Sequence, residues 1–317
     1  MSDNAEFFQT PLHLDEPLSK GGKMFTGLYV AMVTPFKEGK VNEEKLREMV
    51  RFHIESGTDG LVPCGTTGEN PTFTWEEHFR VVEVVVDEGK GKVKVVANAG
   101  TFSTSKSIEN VKRVKEIGAD GAMTITPYYN KPTQAGLIAH FTKIADSTDL
   151  PLMIYNVPGR TGVNLLPRTL GALADHDNIV AVKEASGSLT QMTDVVLTCG
   201  EKITMLSGDD GLTLPAMAVG GKGVVSVVGN IVPKDMKAMI TAFEGGDRRE
   251  AMKWHHRLFP LCEAMFIETN PMPVKEAMNI LGWDVGDVRL PLVPMLPESR
   301  TKLASALQAY GLLQETP

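Results

Sequence analysis

The sequence predicts a (β/α)8 barrel carrying a helical C-terminal extension. Eight short apolar runs, rich in β-branched residues, recur between Leu28 and Gly229. They return at a repeat of roughly 20 to 35 residues, separated by amphipathic, charge-rich stretches. Reactive side chains also gather at the C-terminal ends of these runs, where such barrels carry their chemistry. A doubly wound open sheet is the competing architecture. No GxGxxG follows the first run, which weakens its dinucleotide-binding version.

The first run is "LYVAMVTPF" (28–36). A helical pattern follows over 42–57, with Leu46, Met49, Val50 and Ile54 on one stripe and Gly57 as the stop. "GLVPCG" (60–65) and "KVVANAG" (94–100) are the next strands. A second clear helix spans 105–121, "SKSIENVKRVKEIGADG". Then come "GAMTITP" (121–127), "LMIYNVP" (152–158), "IVAVKEA" (179–185), "ITMLSGD" (203–209) and "GVVSVVG" (223–229). After residue 230 the pattern is helical to the end, with no Pro/Ser/Gly linker. The expected organisation is an arm or tail over 1–24, the barrel over 25–230, and helices packed on it over 231–317. The first 23 residues hold two prolines, several acids and a GG pair. Without a basic start or a long apolar core, they read neither as a secretory signal nor as a transit peptide.

Composition narrows the function. The net charge of −7 argues against nucleic acid or an anionic membrane surface as partner. No apolar run approaches the roughly 20 residues of a membrane span. Cys64, Cys199 and Cys262 are scattered and odd in number, which favours a reducing cytoplasm over a disulfide framework. The seven histidines form no HxxxH or HxH cluster, and no GxxxxGK[ST] phosphate loop is present. Neither a metal nor a cofactor is expected.

The strand ends carry the functional expectation. Run two leads into Thr66 and Thr67, run four into Tyr128 and Tyr129, run five into Tyr155 and Arg160. Run six ends with Lys183, and run seven with Asp209 and Asp210. Alternation puts Ile179, Ala181 and Lys183 on one face, with Glu184 on the other. Glu184 is then a poor ion-pair partner for Lys183. Met153 and Tyr155 share a face on the neighbouring strand, within reach of Lys183. Burial lowers a lysine pKa and makes the amine a better nucleophile. Such an amine forms an imine with a ketone or aldehyde, given proton donors and acceptors beside it. Tyrosine and threonine hydroxyls do both, and the Arg160 fork suits a substrate carboxylate. Each residue alone has an ordinary explanation: Lys183 reaching water along its stem, the threonines and Asp209/Asp210 capping helices, the tyrosine pair packing, Arg160 solvated, Cys64 packed. Their convergence on one barrel face does not.

"GTTGE", "TPYYNKP", "YNVPGRTG", "VKEASG" and "SGDD", in this order, resemble dihydrodipicolinate synthase. The likeness runs from about Phe25 into the C-terminal helices. It implies condensation of pyruvate with L-aspartate 4-semialdehyde in the diaminopimelate and lysine pathway, by a cytoplasmic homotetramer built as a dimer of dimers. It further implies that Lys183 is the Schiff-base lysine and Tyr155 the central acid/base. Thr67 would link Tyr155 to Tyr129 in a proton relay, with Tyr129 crossing the tight dimer into the partner's site. Arg160 would bind the aldehyde's carboxylate, and Thr66, Gly208 and Val225 would line the pyruvate site. The N-acetylneuraminate lyase type is the rival within the superfamily; Thr66 and Arg160 favour the synthase. A keto-acid sensor without turnover is the alternative from another class. Lysine-inhibited relatives resemble this chain less at two positions, having histidine where Trp75 stands and glutamate where Lys106 stands. That departure implies weak or absent lysine feedback.

Overall fold

A computed structural model describes residues 24–313. The arm expected over 1–24 lies, except for Met24, outside the described residues. The first strand is β1 (Gly27–Ala31), followed by a small antiparallel hairpin, β2 (Phe36–Lys37) and β3 (Lys40–Val41), which has no counterpart in the sequence reading. The remaining strands are β4 (Gly60–Val62), β5 (Lys94–Asn98), β6 (Gly121–Ile125), β7 (Leu152–Asn156), β8 (Ile179–Glu184), β9 (Thr204–Ser207) and β10 (Gly223–Ser226). Without the hairpin, these strands close into a parallel barrel in the order β1-β10-β9-β8-β7-β6-β5-β4. Closure rules out the open sheet. The strands are shorter than the apolar runs, because each run continues past the ladder into the loop that follows.

Eight helices alternate with the barrel strands: α1 (Glu43–Glu55), α2 (Trp75–Gly89), α3 (Thr104–Ile117), α4 (Gln134–Ala145), α6 (Pro167–Leu173), α7 (Leu189–Cys199), α8 (Thr213–Ala218) and α9 (Pro233–Glu244). One extra turn, α5 (Pro158–Thr161), follows β7. Their starts follow from side-chain oxygens that accept otherwise orphaned backbone N–H groups. Asn42, Ser103, Thr133 and Ser188 cap in this way, and Thr74 forms a reciprocal capping box with Glu77. The helical region expected from 231 thus begins with the barrel's own eighth helix. Beyond it lie α10 (Arg248–Ala264), α11 (Met272–Ile280) and α12 (Pro297–Tyr310).

Strand alternation divides the core in two. Outward residues such as Leu28, Val30, Ile154 and Val182 pack under the helices. Inward residues, including Tyr29, Val62, Val96, Met123, Met153, Ala181, Leu206 and Val225, fill the barrel. At the N-terminal end Tyr29 lies where a Cβ on Gly60 would come within 1.9 Å of its ring, so that position has no room for a side chain. This end of the barrel also carries two carboxylates. Asp59 and Asp120 stand here, but as fasteners: Asp59 accepts from the Leu28 N–H and the Lys237 amine, Asp120 from the Val95 N–H and the Lys94 amine.

Candidate active site

The site forms where β4 to β9 end. Lys183 and Tyr155 are register partners across β8 and β7, so their inward side chains start as neighbours. The Lys183 amine lies 4.2 Å from the Tyr155 ring centroid. Only 6% of Lys183 is exposed, and among the described residues no carboxylate forms an ion pair with it. Burial pulls its pKa from 10.5 to about 8; Asp210 opposes the fall and Arg160 adds to it. At pH 7 roughly one amine in ten is then neutral, against about one in three thousand for an ordinary lysine. The side chain therefore remains mostly an ammonium at neutral pH, with a neutral fraction raised several hundredfold. Glu184 points away, as alternation requires: its carboxylate accepts from Asn156, Gln191 and the Ser186 N–H.

Burial raises the Tyr155 phenol's pKa, while the Arg160 charge and a hydrogen bond with the Thr66 hydroxyl lower it. The phenol is thus held close to a cation and one hydroxyl. Gly208 is tied to the lysine by space. A Cβ there would meet Ala185 at 2.6 Å and the Lys183 stem at 3.2 Å. Val225 is wholly buried among the inward residues.

Thr66, Tyr155 and Arg160 line one cavity of about 210 Å3, together with Asn98, Met123 and Tyr128. Five residues expected at the site are not part of this lining: Lys183, which adjoins it through the Tyr155 ring, Gly208 and Val225 packed with the inward residues, and Thr67 and Tyr129. Thr67 is buried, and its hydroxyl accepts from the Asn270 carboxamide at 3.0 Å. Tyr129 is 92% exposed with φ at +71°, and so extends away from its own chain's cavity. Arg160 donates to the Asn270 carbonyl at 3.3 Å, which ties the guanidinium to the C-terminal region.

Several contributors escaped the sequence reading. Asn98 lines the cavity because it follows Val96 by two on β5, a parity that alternation alone supplies. Asp209 behaves as a cap, accepting from the Gly211 N–H at 2.9 Å. Asp210 does not: it is buried and accepts from Ser226 and from the Val227 and Val228 N–H groups. Burial raises its carboxyl and those hydrogen bonds oppose the rise. It links the ends of β9 and β10, and its charge acts on Lys183. Asn270 had no local signal, being 203 residues from Thr67. Among the described residues no group of three or more His, Cys, Asp or Glu is placed to hold a metal ion. No helix among them is long and apolar enough to cross a membrane.

The model of the dihydrodipicolinate synthetase family matches residues 24–310. The 4-hydroxy-tetrahydrodipicolinate synthase of Geotalea uraniireducens is 53% identical over 290 residues, covering 92% of this chain and 100% of that protein. The crystal structure of dihydrodipicolinate synthase from Aquifex aeolicus is 45% identical with a TM-score of 0.89, covering 92% of this chain and 100% of that one. A chloride-inhibited dihydrodipicolinate synthase from Acinetobacter baumannii, solved in complex with pyruvate, is 38% identical with a TM-score of 0.89 and the same coverage.

Proposed function

Because the chain belongs to the dihydrodipicolinate synthetase family, we propose that Lys183 is its imine-forming amine and that Tyr155 moves the protons. The enzyme is a lyase with 4-hydroxy-tetrahydrodipicolinate synthase activity. Pyruvate and L-aspartate 4-semialdehyde are its substrates, the first held as an imine and the second through its carboxylate on Arg160. The observation that carries this reading is the buried, unpaired Lys183 amine beside the Tyr155 ring.

The neutral Lys183 amine attacks C2 of pyruvate. Tyr155 protonates the developing oxyanion, and the carbinolamine loses water to give a protonated imine. Loss of a proton from C3 leaves an enamine. C3 then attacks the aldehyde carbon, whose oxygen takes up a proton. The new product's own amine attacks C2, closes the ring and displaces Lys183. Each proton passes a phenol whose pKa is set by opposing influences, which suits it to donate and accept in turn. Gly208 and Val225 leave the lysine stem and the keto acid room.

The relay partner of Tyr155 is Thr66, in place of the Thr67 first expected. The Thr66 hydroxyl shares the cavity with the phenol and lowers its pKa, whereas the Thr67 hydroxyl is occupied by Asn270. Tyr129, exposed and in the left-handed region, completes the partner's relay across the tight dimer of a homotetramer. Three buried, unpaired cysteines suit a cytoplasmic setting.

The test combines mass spectrometry after borohydride trapping with pyruvate and a turnover assay with the aldehyde. We expect the adduct on Lys183 and loss of turnover in Lys183→Ala. Arg160→Ala should keep the adduct while losing most activity toward the aldehyde. Full activity in Arg160→Ala would overturn the substrate assignment.

A further inference from the structure

The turn carrying the two threonines is held from the far end of the chain. Its backbone is a tight structure: the Gly68 N–H donates to the Gly65 carbonyl, and the Glu69 N–H to the Thr66 carbonyl. Cys64 and Glu69, at its two ends, have φ of +57° and +59°. Non-glycine residues in that region are strained and persist where surroundings dictate them.

The surroundings that dictate Glu69 lie around α11. Its carboxylate accepts from the Lys275 amine at 2.8 Å and from the Arg289 N–H at 2.8 Å. Both charged side chains are essentially solvent-free, 2% and 1% exposed. The Lys275 amine also donates to the Asp287 carbonyl and lies 4.2 Å from the Phe36 ring centroid. Asn270, just ahead of α11, donates to Thr67. Three polar contacts from the C-terminal region thus grip a turn of six residues, 64 to 69.

A buried ion pair is weak evidence for stability, since neutral side chains of similar volume often serve as well. It is better suited to fixing a geometry. We propose that Glu69 and Lys275 are positioning residues that hold the Thr66 hydroxyl against Tyr155, so that α11 acts on proton transfer. This rests on the reading of Thr66 as relay partner. Neither residue lines the cavity: they act by locking the turn at Glu69, three residues from Thr66, whose carbonyl accepts from the Glu69 N–H. A loosened turn leaves the cavity in place but lets the Thr66 hydroxyl leave the phenol.

The experiment is a double-mutant cycle in the full-length enzyme between Lys275→Met and Thr66→Val. Lys275→Met should lower kcat about tenfold or more, with KM for either substrate changed less than threefold. Lys275→Arg should recover much of the loss. In the Thr66→Val background, Lys275→Met should cost less than twofold, because the hydroxyl it positions is already gone. A role confined to stability would lower thermal resistance and leave kcat per folded enzyme unchanged in both backgrounds. That result, or fully additive losses, overturns the proposal. If Thr66→Val itself keeps full kcat, it is the relay reading that fails. Should Lys275→Met not fold, Glu69→Gln/Lys275→Met replaces the pair by neutral side chains of similar shape. The same kcat loss and the same non-additivity are expected of it, and kcat within twofold of the unaltered enzyme overturns the proposal equally.

Discussion

Replacing the reactive lysine should make this protein more stable, and only below a definite pH. The Lys183 amine titrates near 8 in the fold and near 10.5 when the chain is unfolded. That difference corresponds to roughly 3 kcal/mol favouring the neutral amine in the native state. The sign follows from proton counts. Between pH 8 and 10.5 the unfolded state holds the proton more tightly, so native stability rises with pH across this window. Below pH 8 both states are protonated and the fold carries the full cost of a buried ammonium. Above 10.5 both are neutral and the cost is gone. Lys183→Met keeps an unbranched side chain beside Tyr155 and Leu206 and removes the charge. At pH 7 it should be more stable than the unaltered enzyme by about 3 kcal/mol or somewhat less. The gap should close toward zero as pH rises through the window. Urea unfolding at pH 7, 8.5 and 10, at one fixed protein concentration because assembly adds to apparent stability, measures it. An equal gap at all three values would exclude a buried charge as its source, since the gap would then come from packing alone. So would a less stable variant at pH 7. Either result would mean that the amine is not desolvated as its burial indicates.

The same amine governs the kinetics. The initial rate of adduct formation with pyruvate should rise with pH and level off above about 8; a rise continuing toward 10.5 would contradict the burial of Lys183. Tyr129, 92% exposed in a single chain, should nonetheless matter. Tyr129→Phe is expected to lose most activity, and mixing its subunits with inactive Lys183→Ala subunits should restore a measurable fraction. No recovery after subunit exchange would show that the tyrosine does not serve a partner. Lysine should inhibit poorly. The Lys106 ammonium sits 5.1 Å from the Trp75 ring centroid and pairs with Glu109 at 2.9 Å, a cation at the position where the resemblance implies glutamate in lysine-inhibited relatives. Half-inhibition of the purified enzyme at sub-millimolar lysine would end that expectation.

Much of the fold was legible because barrel strands are buried on both faces and read as near-continuous apolar runs. The number of strands and their parallel order followed from that. Their ends did not, since an apolar residue in a loop packed on the barrel looks the same as one in the ladder. The hairpin β2–β3 was missed because two-residue strands leave no periodicity to read. Val96 and Asn98 show a different kind of miss. The parity that turns Lys183 inward on β8 also turns Asn98 into the cavity from β5.

Which side chains share a strand face follows from the sequence alone, because a period of two is a property of the chain. Lys183 inward with Ala181, Glu184 outward, and Tyr155 on the neighbouring inward face all follow from counting. Which of two adjacent threonines lines the cavity beside the phenol depends on the folded chain. That choice lies in a turn with left-handed residues at both ends, where alternation no longer applies. It is set by Asn270 and Lys275, more than 200 residues away along the chain. Contacts of that range depend on how the whole barrel closes and where α11 comes to rest. No local pattern encodes them.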